Sequence, residues 1–328
     1  NGPRVMVAGT RDTMTRLGTA RTIRLGSAEL ARPLIATLDL TPVQARIGYD
    51  VRGTIGYELF DKYVVTIDYA ARTLTLFDPA AFVYSGTGVV LPMTLDHRIP
   101  VVDALVTTRT KGVLAARLHL DLGSSTYALR LSTPFVTAHD LERDTVTVTG
   151  PVGAGVGGMV IGSLLRLPRL TLGALVIERP STALSRNVSG VLGAAAAVDG
   201  TVGAPVFRRA TLILDYAHSR AIIEPHGRFD LPDSADASGL SLAMDPQPPH
   251  TLRVAFVIAG SAGEAAGVRE GDEVLAIDGE AAAATAPPVA LTIMRAKELL
   301  RAAGDTRHLT LRRGTDSLNV QLSLRPIY

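Results

Sequence analysis

Gly53-Thr-Ile-Gly-Tyr-Glu-Leu-Phe60 and Gly200-Thr-Val-Gly-Ala-Pro-Val-Phe207 are two versions of one stretch, and the distance between them sets the architecture. Each is followed by an apolar, β-branched run, Tyr63 to Ile67 in the first and Ala210 to Leu214 in the second. Each run ends on the same tripeptide, Asp68-Tyr69-Ala70 and Asp215-Tyr216-Ala217. The offset is 147 residues throughout, from 53 to 200 and from 68 to 215. It also relates Leu25-Gly26 to Leu172-Gly173 and Arg32-Pro33 to Arg179-Pro180 without a gap. One ungapped register held over that length implies two copies of a β-rich unit. Short apolar runs such as Tyr63 to Ile67, bounded by turn residues, read as strands.

The second copy has more sequence in front of it, including Leu118-His-Leu-Asp-Leu-Gly-Ser-Ser125. The first copy's counterpart of Asp121 would fall before Asn1, and a start on Asn1 suggests that an N-terminal part has been removed. Asp12-Thr13-Met14 is no substitute, because it lacks a glycine and aligns with position 159 of the second copy.

The totals bound the answer from outside. A chain of 328 residues suggests two or three domains. Hydrophobic residues at 47% argue against disorder, and 31 glycines with 19 prolines suit many short strands joined by turns. The absence of cysteine excludes disulfides, thiol catalysis and thiolate metal sites. A formal charge of +2, with acids and bases interspersed, gives no basic stripe for nucleic acid. No apolar run reaches the ~18 residues that would span a bilayer. No signal peptide is visible.

The apolar strand ending Asp121-Leu122-Gly123-Ser124, followed by Leu129 to Leu131 and the helix-like Pro134 to His139, resembles the second-lobe signature of bacterial retropepsin-like aspartic proteases. Thr201-Val202-Gly203 resembles the family's later hydrophobic-hydrophobic-glycine element, with Thr54-Ile55-Gly56 as its first-copy counterpart. The glycine-rich stretch Gly153 to Gly158 stands where the family has a hairpin or flap, and the resemblance covers roughly residues 5 to 225. It implies an aspartic endopeptidase in which two lobe-derived aspartates share a proton and activate a water between them. Asp121, Gly123 and Ser124 would be its catalytic loop. The sequence departs from the pattern twice: the partner aspartate is not in the chain, and Leu122 stands where the family has a hydroxyl-bearing residue. The alternative is a non-catalytic peptide-binding adaptor on a degenerate protease scaffold. A third arrangement, two chains each contributing Asp121 as a homodimer, is disfavoured because the repeat already supplies lobe pairing within one chain.

From Ser238 onward the pattern changes. Gly260-Ser-Ala-Gly-Glu-Ala-Ala-Gly267 and Val268-Arg-Glu-Gly-Asp-Glu-Val-Leu-Ala-Ile-Asp-Gly279 closely resemble the core of a PDZ domain. The resemblance implies a carboxylate-binding loop and peptide-receiving strand at Gly239, Leu240, Ser241 and Leu242, and a groove helix over Pro287 to Ala303 that includes Leu291. Free backbone N–H groups in that loop would take a peptide's terminal carboxylate.

The expected fold is therefore mainly β. A first retropepsin-like (acid protease) β-barrel lobe, N-terminally incomplete, occupies 1–78, and a linker 79–100 leads to the second lobe at 101–225. A linker 226–237 then precedes an α+β PDZ domain at 238–328. Peptides or protein tails are the expected partners, with no cofactor and no metal, and an extracytoplasmic, periplasmic setting follows from the family resemblance. Gly153 to Gly158 lacks the helix and acidic residue of a dinucleotide loop. The seven histidines show no metal-ligand spacing. His119 lies two residues from Asp121, so strand alternation puts both on one face.

Overall fold

The repeat read from the sequence recurs in the strand registers. The computed structural model describes residues 4–5, 13–14, 16–48, 50–143, 148–155, 158–187, 190–227, 229–231, 233, 235–245, 250–281 and 289–328. Asp12, dismissed above, lies outside them. Among the described residues the chain is mainly strand, with the helices α1 (Thr41–Ile47), α2 (Tyr57–Lys62), α3 (Thr133–Ala138), α4 (Ala204–Phe207), α5 (Ala262–Ala265) and α6 (Val289–Leu299).

The hairpin of Thr22–Leu25 with Ala28–Ala31 pairs Thr22 with Ala31 and Leu25 with Ala28. The hairpin of Arg169–Leu172 with Leu175–Glu178 repeats this register 147 residues later, Arg169 opposite Glu178 and Leu172 opposite Leu175. Arg16 faces Thr37 in the first copy as Ser163 faces Leu184 in the second. Left-handed backbone recurs at the same places: Gly26 (φ 58°) with Gly173 (φ 57°), and Arg32 (φ 51°) with Arg179 (φ 48°). Glycine enters that region without Cβ strain; an arginine there costs about 1 kcal/mol, and both copies carry that cost.

The two copies share a five-stranded sheet, in the order Thr73–Phe77, Val64–Asp68, Ala210–Asp215, Arg220–Pro225 and Val89–Pro92. At its centre Thr66 lies opposite Ile213, its own equivalent, so exchanging the copies maps the pairing onto itself. The copies are unequal beyond this sheet. The second builds a ten-stranded sheet over a core that includes Leu118, Leu129, Leu131, Leu165, Leu170, Val202 and Phe207. The first has three two-stranded sheets, Arg4–Val5 with Thr13–Met14, Arg16–Thr19 with Leu34–Thr37 and Thr22–Leu25 with Ala28–Ala31, and a small cluster around Leu30, Leu59 and Val65.

The first copy, expected as an incomplete lobe, has only small two-stranded sheets of its own among the described residues, and the pairings show how the copies differ. In the second copy Ile99–Thr107 and Val113–Asp121 tie the hairpin at 169–178 to the rest of the sheet. The first copy has no equivalents of these strands in the sequence, and Leu17 and Leu34 stay half exposed.

The segments expected as linkers are packed. Within 79–100, Val89–Pro92 extends the five-stranded sheet and Thr94–Asp96 pairs with Ile99–Thr107. Within 226–237, Phe229 enters the main core, and the buried Asp233 accepts hydrogen bonds from the Ser181 amide (3.0 Å) and Arg166 Nη1 (3.1 Å).

The C-terminal unit is a sheet in the order Leu240–Met244, Leu252–Val257, Glu273–Ile277, Thr306–Arg313 and Asp316–Ser323. Leu252, Val274, Ile293, Leu309 and Leu322 form its core, and Gly267 and Gly271 turn the chain at positive φ. No helix among the described residues is long and apolar enough to cross a membrane.

Candidate peptide-binding site

The strand Leu240–Met244 lies at one edge of the C-terminal sheet, and its outer side faces helices, where another strand would otherwise pair. Its alternation is legible in the burial: Leu240, Leu242 and Met244 point into the core, and Ser241 and Ala243 are partly exposed. The loop before it is fixed by geometry. Gly239 has φ +75°, and a Cβ there would lie 2.2 Å from the Ser261 Cβ, so only glycine fits. At Gly263 a Cβ would press on Leu240 Cδ2 at 2.3 Å, a side-chain end, and on the Ser238 carbonyl oxygen at 3.1 Å.

The loop amides are already engaged. Gly239 N donates to Asp236 Oδ2 (2.7 Å), the Ser238 hydroxyl donates to Asp236 Oδ1 (2.8 Å), and Leu240 N donates to Ser238 Oγ (3.0 Å). The expectation of free N–H groups at Gly239 and Leu240 is corrected accordingly: the chain supplies its own carboxylate, Asp236. Burial pushes the Asp236 carboxyl up, against the hydrogen bonds from Ser238 and Gly239. Nothing before the loop, in sequence terms, marks Asp236 as its cap beyond the ordinary habit of aspartate to bind amides two and three residues on.

α6 stands beside the edge strand as the groove helix, beginning at Val289. Leu291 lies within it. On the same side sits α1, from the first copy. Its start is written locally: Asp39 Oδ1 accepts from Thr41 N (2.9 Å) and Pro42 occupies the first turn. It ends on Gly48, at φ 71° with its amide on Gln44 O. Val43, Arg46 and Ile47 of α1 meet Leu240, Ser241 and Leu242 around a cavity of about 240 Å³. Arg46 Nη1 donates to Ser241 Oγ (3.4 Å), and Lys297 Nζ of α6 donates to the Arg46 carbonyl (2.6 Å). Burial, with Arg46 and Arg301 nearby, brings the Lys297 ammonium down to about 8.

Residues 230–312 match the family model of the PDZ domain. This part of the chain is a PDZ domain. The match begins eight residues before Ser238 and takes in Asp233 and Asp236. No curated protein matches the chain. Among solved structures, the HtrA-type protease AlgW with a decapeptide matches at 15% identity, covering 70% of this chain and 73% of that one, with a TM-score of 0.27. A variant of AlgW matches with a tripeptide at 12% identity, 68% and 93% coverage and a TM-score of 0.28. With a decapeptide it matches at 12%, 83% and 98%, and 0.25.

The aspartic endopeptidase expected from the resemblance is corrected, and the geometry gives Asp121 a local role in its place. Asp121 ends its strand and Oδ1 accepts from Gly123 N (2.9 Å) and Ser124 N (3.2 Å), which is a local turn cap. It lines a cavity of about 430 Å³ with His119, Arg130, Tyr57, Thr201 and Tyr216, and among the described residues it is the only carboxylate there. What sits nearby is the Arg130 guanidinium, lowered by burial and raised again by Asp121. Gly123 stays close to its own aspartate, and Ser124 passes its carbonyl to Ala204 N (2.8 Å). His119 does share the cavity with Asp121, as strand alternation implied, but it is buried and bonded to Asp96 Oδ2 (3.1 Å), with its basicity lowered by burial. Among the described residues no serine hydroxyl bonds a histidine ring nitrogen.

Proposed function

We propose that the protein binds peptides at its PDZ domain, taking an extended segment along Leu240–Met244 under α6. The carrying observation is an edge strand led by a glycine-locked turn, with Lys297 held beside it. Strand addition uses the open side of an edge strand for main-chain hydrogen bonds, and flanking pockets choose the side chains. Leu240 and Leu242 anchor the strand from the core face and Ser241 and Ala243 lie on the opposite face, so the main-chain edge between the two faces is what a peptide strand would use. Lys297 supplies a positive charge at the end where a peptide terminus would lie.

The test is polarisation of fluorescein-labelled decapeptide pools, with apolar last residues and either a free or an amidated C-terminus, against the full chain. Free-carboxylate peptides are expected to bind more tightly than amidated ones. Gly239→Val, which must leave φ +75° and collide with Ser261, is expected to weaken binding at least ~10-fold. Equal binding of both pools, undisturbed by Gly239→Val, would remove the PDZ groove from the function.

A further inference from the structure

The PDZ groove is already occupied by the chain's own α1. Resting on the peptide-binding reading, we propose that α1 is an internal competitor for the groove, displaced by peptides that bring a free C-terminal carboxylate. Three observations converge on it.

The first is position. α1 lies against the edge strand and against α6, on the side a peptide strand would use, and its Val43 and Ile47, one turn apart, share a cavity with Leu240, Leu242 and Leu300.

The second is the manner of attachment. Lys297 Nζ reaches the Arg46 carbonyl at the C-terminal end of α1, where unpaired carbonyls carry partial negative charge. The helix thus offers a weak imitation of a peptide's carboxylate. Arg46 in turn reaches Ser241 of the receiving strand. The attachment is slight: α1 is seven residues long, none of them fully buried, and a helix of that length does not hold its shape without its seat.

The third is charge. Arg46, Lys297 and Arg301 converge on this cavity, and among the described residues none has a carboxylate within ion-pairing distance. The acid of the cavity is Asp236, whose oxygens are taken by Ser238 and Gly239. A peptide carboxylate would supply the anion that α1 lacks.

An occupant tethered in the same chain acts at millimolar effective concentration, so it weakens apparent affinity by the fraction of time the groove is free. The experiment compares the full chain with the neutral Ile47→Asn and the milder Arg46→Ala. It combines hydrogen exchange at Leu240–Met244 without peptide and the labelled decapeptide pools with free or amidated ends. Both variants are expected to raise exchange at the edge strand and to tighten binding of the free-carboxylate pool, about 10-fold for Ile47→Asn and about 3-fold for Arg46→Ala. Unchanged exchange in both variants overturns the seating of α1, whatever the peptides do. Binding that is present and equal in all three proteins overturns the competition and leaves the peptide-binding reading intact. No binding by any of them removes both.

Discussion

Lys297 shows how one residue can report on the groove. Its ammonium is held near 8, below its ordinary 10.5, first by burial and then by Arg46 and Arg301. Between those values the unfolded chain binds more protons than the folded one, so folding stability rises with pH across that window. Chemical denaturation at intervals from pH 7.5 to 10.5 is expected to show a gain in the native protein that is absent from Lys297→Gln; parallel curves would place Lys297 in solvent. Asp121 teaches the opposite lesson at the same scale. The string Asp-Leu-Gly-Ser was legible and its local structure follows from it, because a carboxylate at a strand end caps the amides of Gly123 and Ser124. That local job accounts for the residue types without a catalytic partner, so the motif alone could not settle the chemistry.

Among the elements, the segment 226–237 departs most from its sequence reading. Polar residues with Pro225 and Pro232 read as a tether, yet composition is silent on what an individual carboxylate will meet. Asp233 meets Ser181 through both its oxygens and Arg166 through Oδ1, while Arg166 Nη2 also takes the Asp233 carbonyl. The acid is 3% exposed and the guanidinium 14%, so water cannot replace either partner. Asp233→Ala is expected to cost about 3 kcal/mol, since it strands a buried cation and a buried amide. The exposed neighbour Asp230→Ala should stay within about 0.5 kcal/mol. Urea midpoints of the two variants decide it, and comparable small shifts would show that the segment is loosely held. α1 was missed for a related reason: Asp39, Thr41 and Pro42 signal a helix start, but nothing local says that the helix will lie on a groove some two hundred residues away.

At the scale of the whole molecule the repeat was the most legible feature, because an ungapped offset survives even where the two copies bury different amounts of surface. Its consequence is mechanical. The first copy's hairpins have little core of their own, so the order of this copy depends on the shared sheet. Ile213, opposite Thr66 at the centre of that sheet, packs with Val64 and Ile222 beneath Phe82 and Tyr84. Ile213→Ala removes apolar contact from both copies at once and is expected to cost about 2–4 kcal/mol. Because the sheet joins them, residues 16–77 and 101–225 should lose structure in one calorimetric transition that moves down as a unit in the variant. The sharper reading comes from hydrogen exchange under mild denaturant. Val64–Asp68 and Ala210–Asp215 should open with the same free energy in the native protein, and should fall together in Ile213→Ala. Protection lost at Val64–Asp68 while Ala210–Asp215 keeps its native value would mean that the first copy merely leans on the second, and that the two-fold pairing at Thr66 and Ile213 does not couple them.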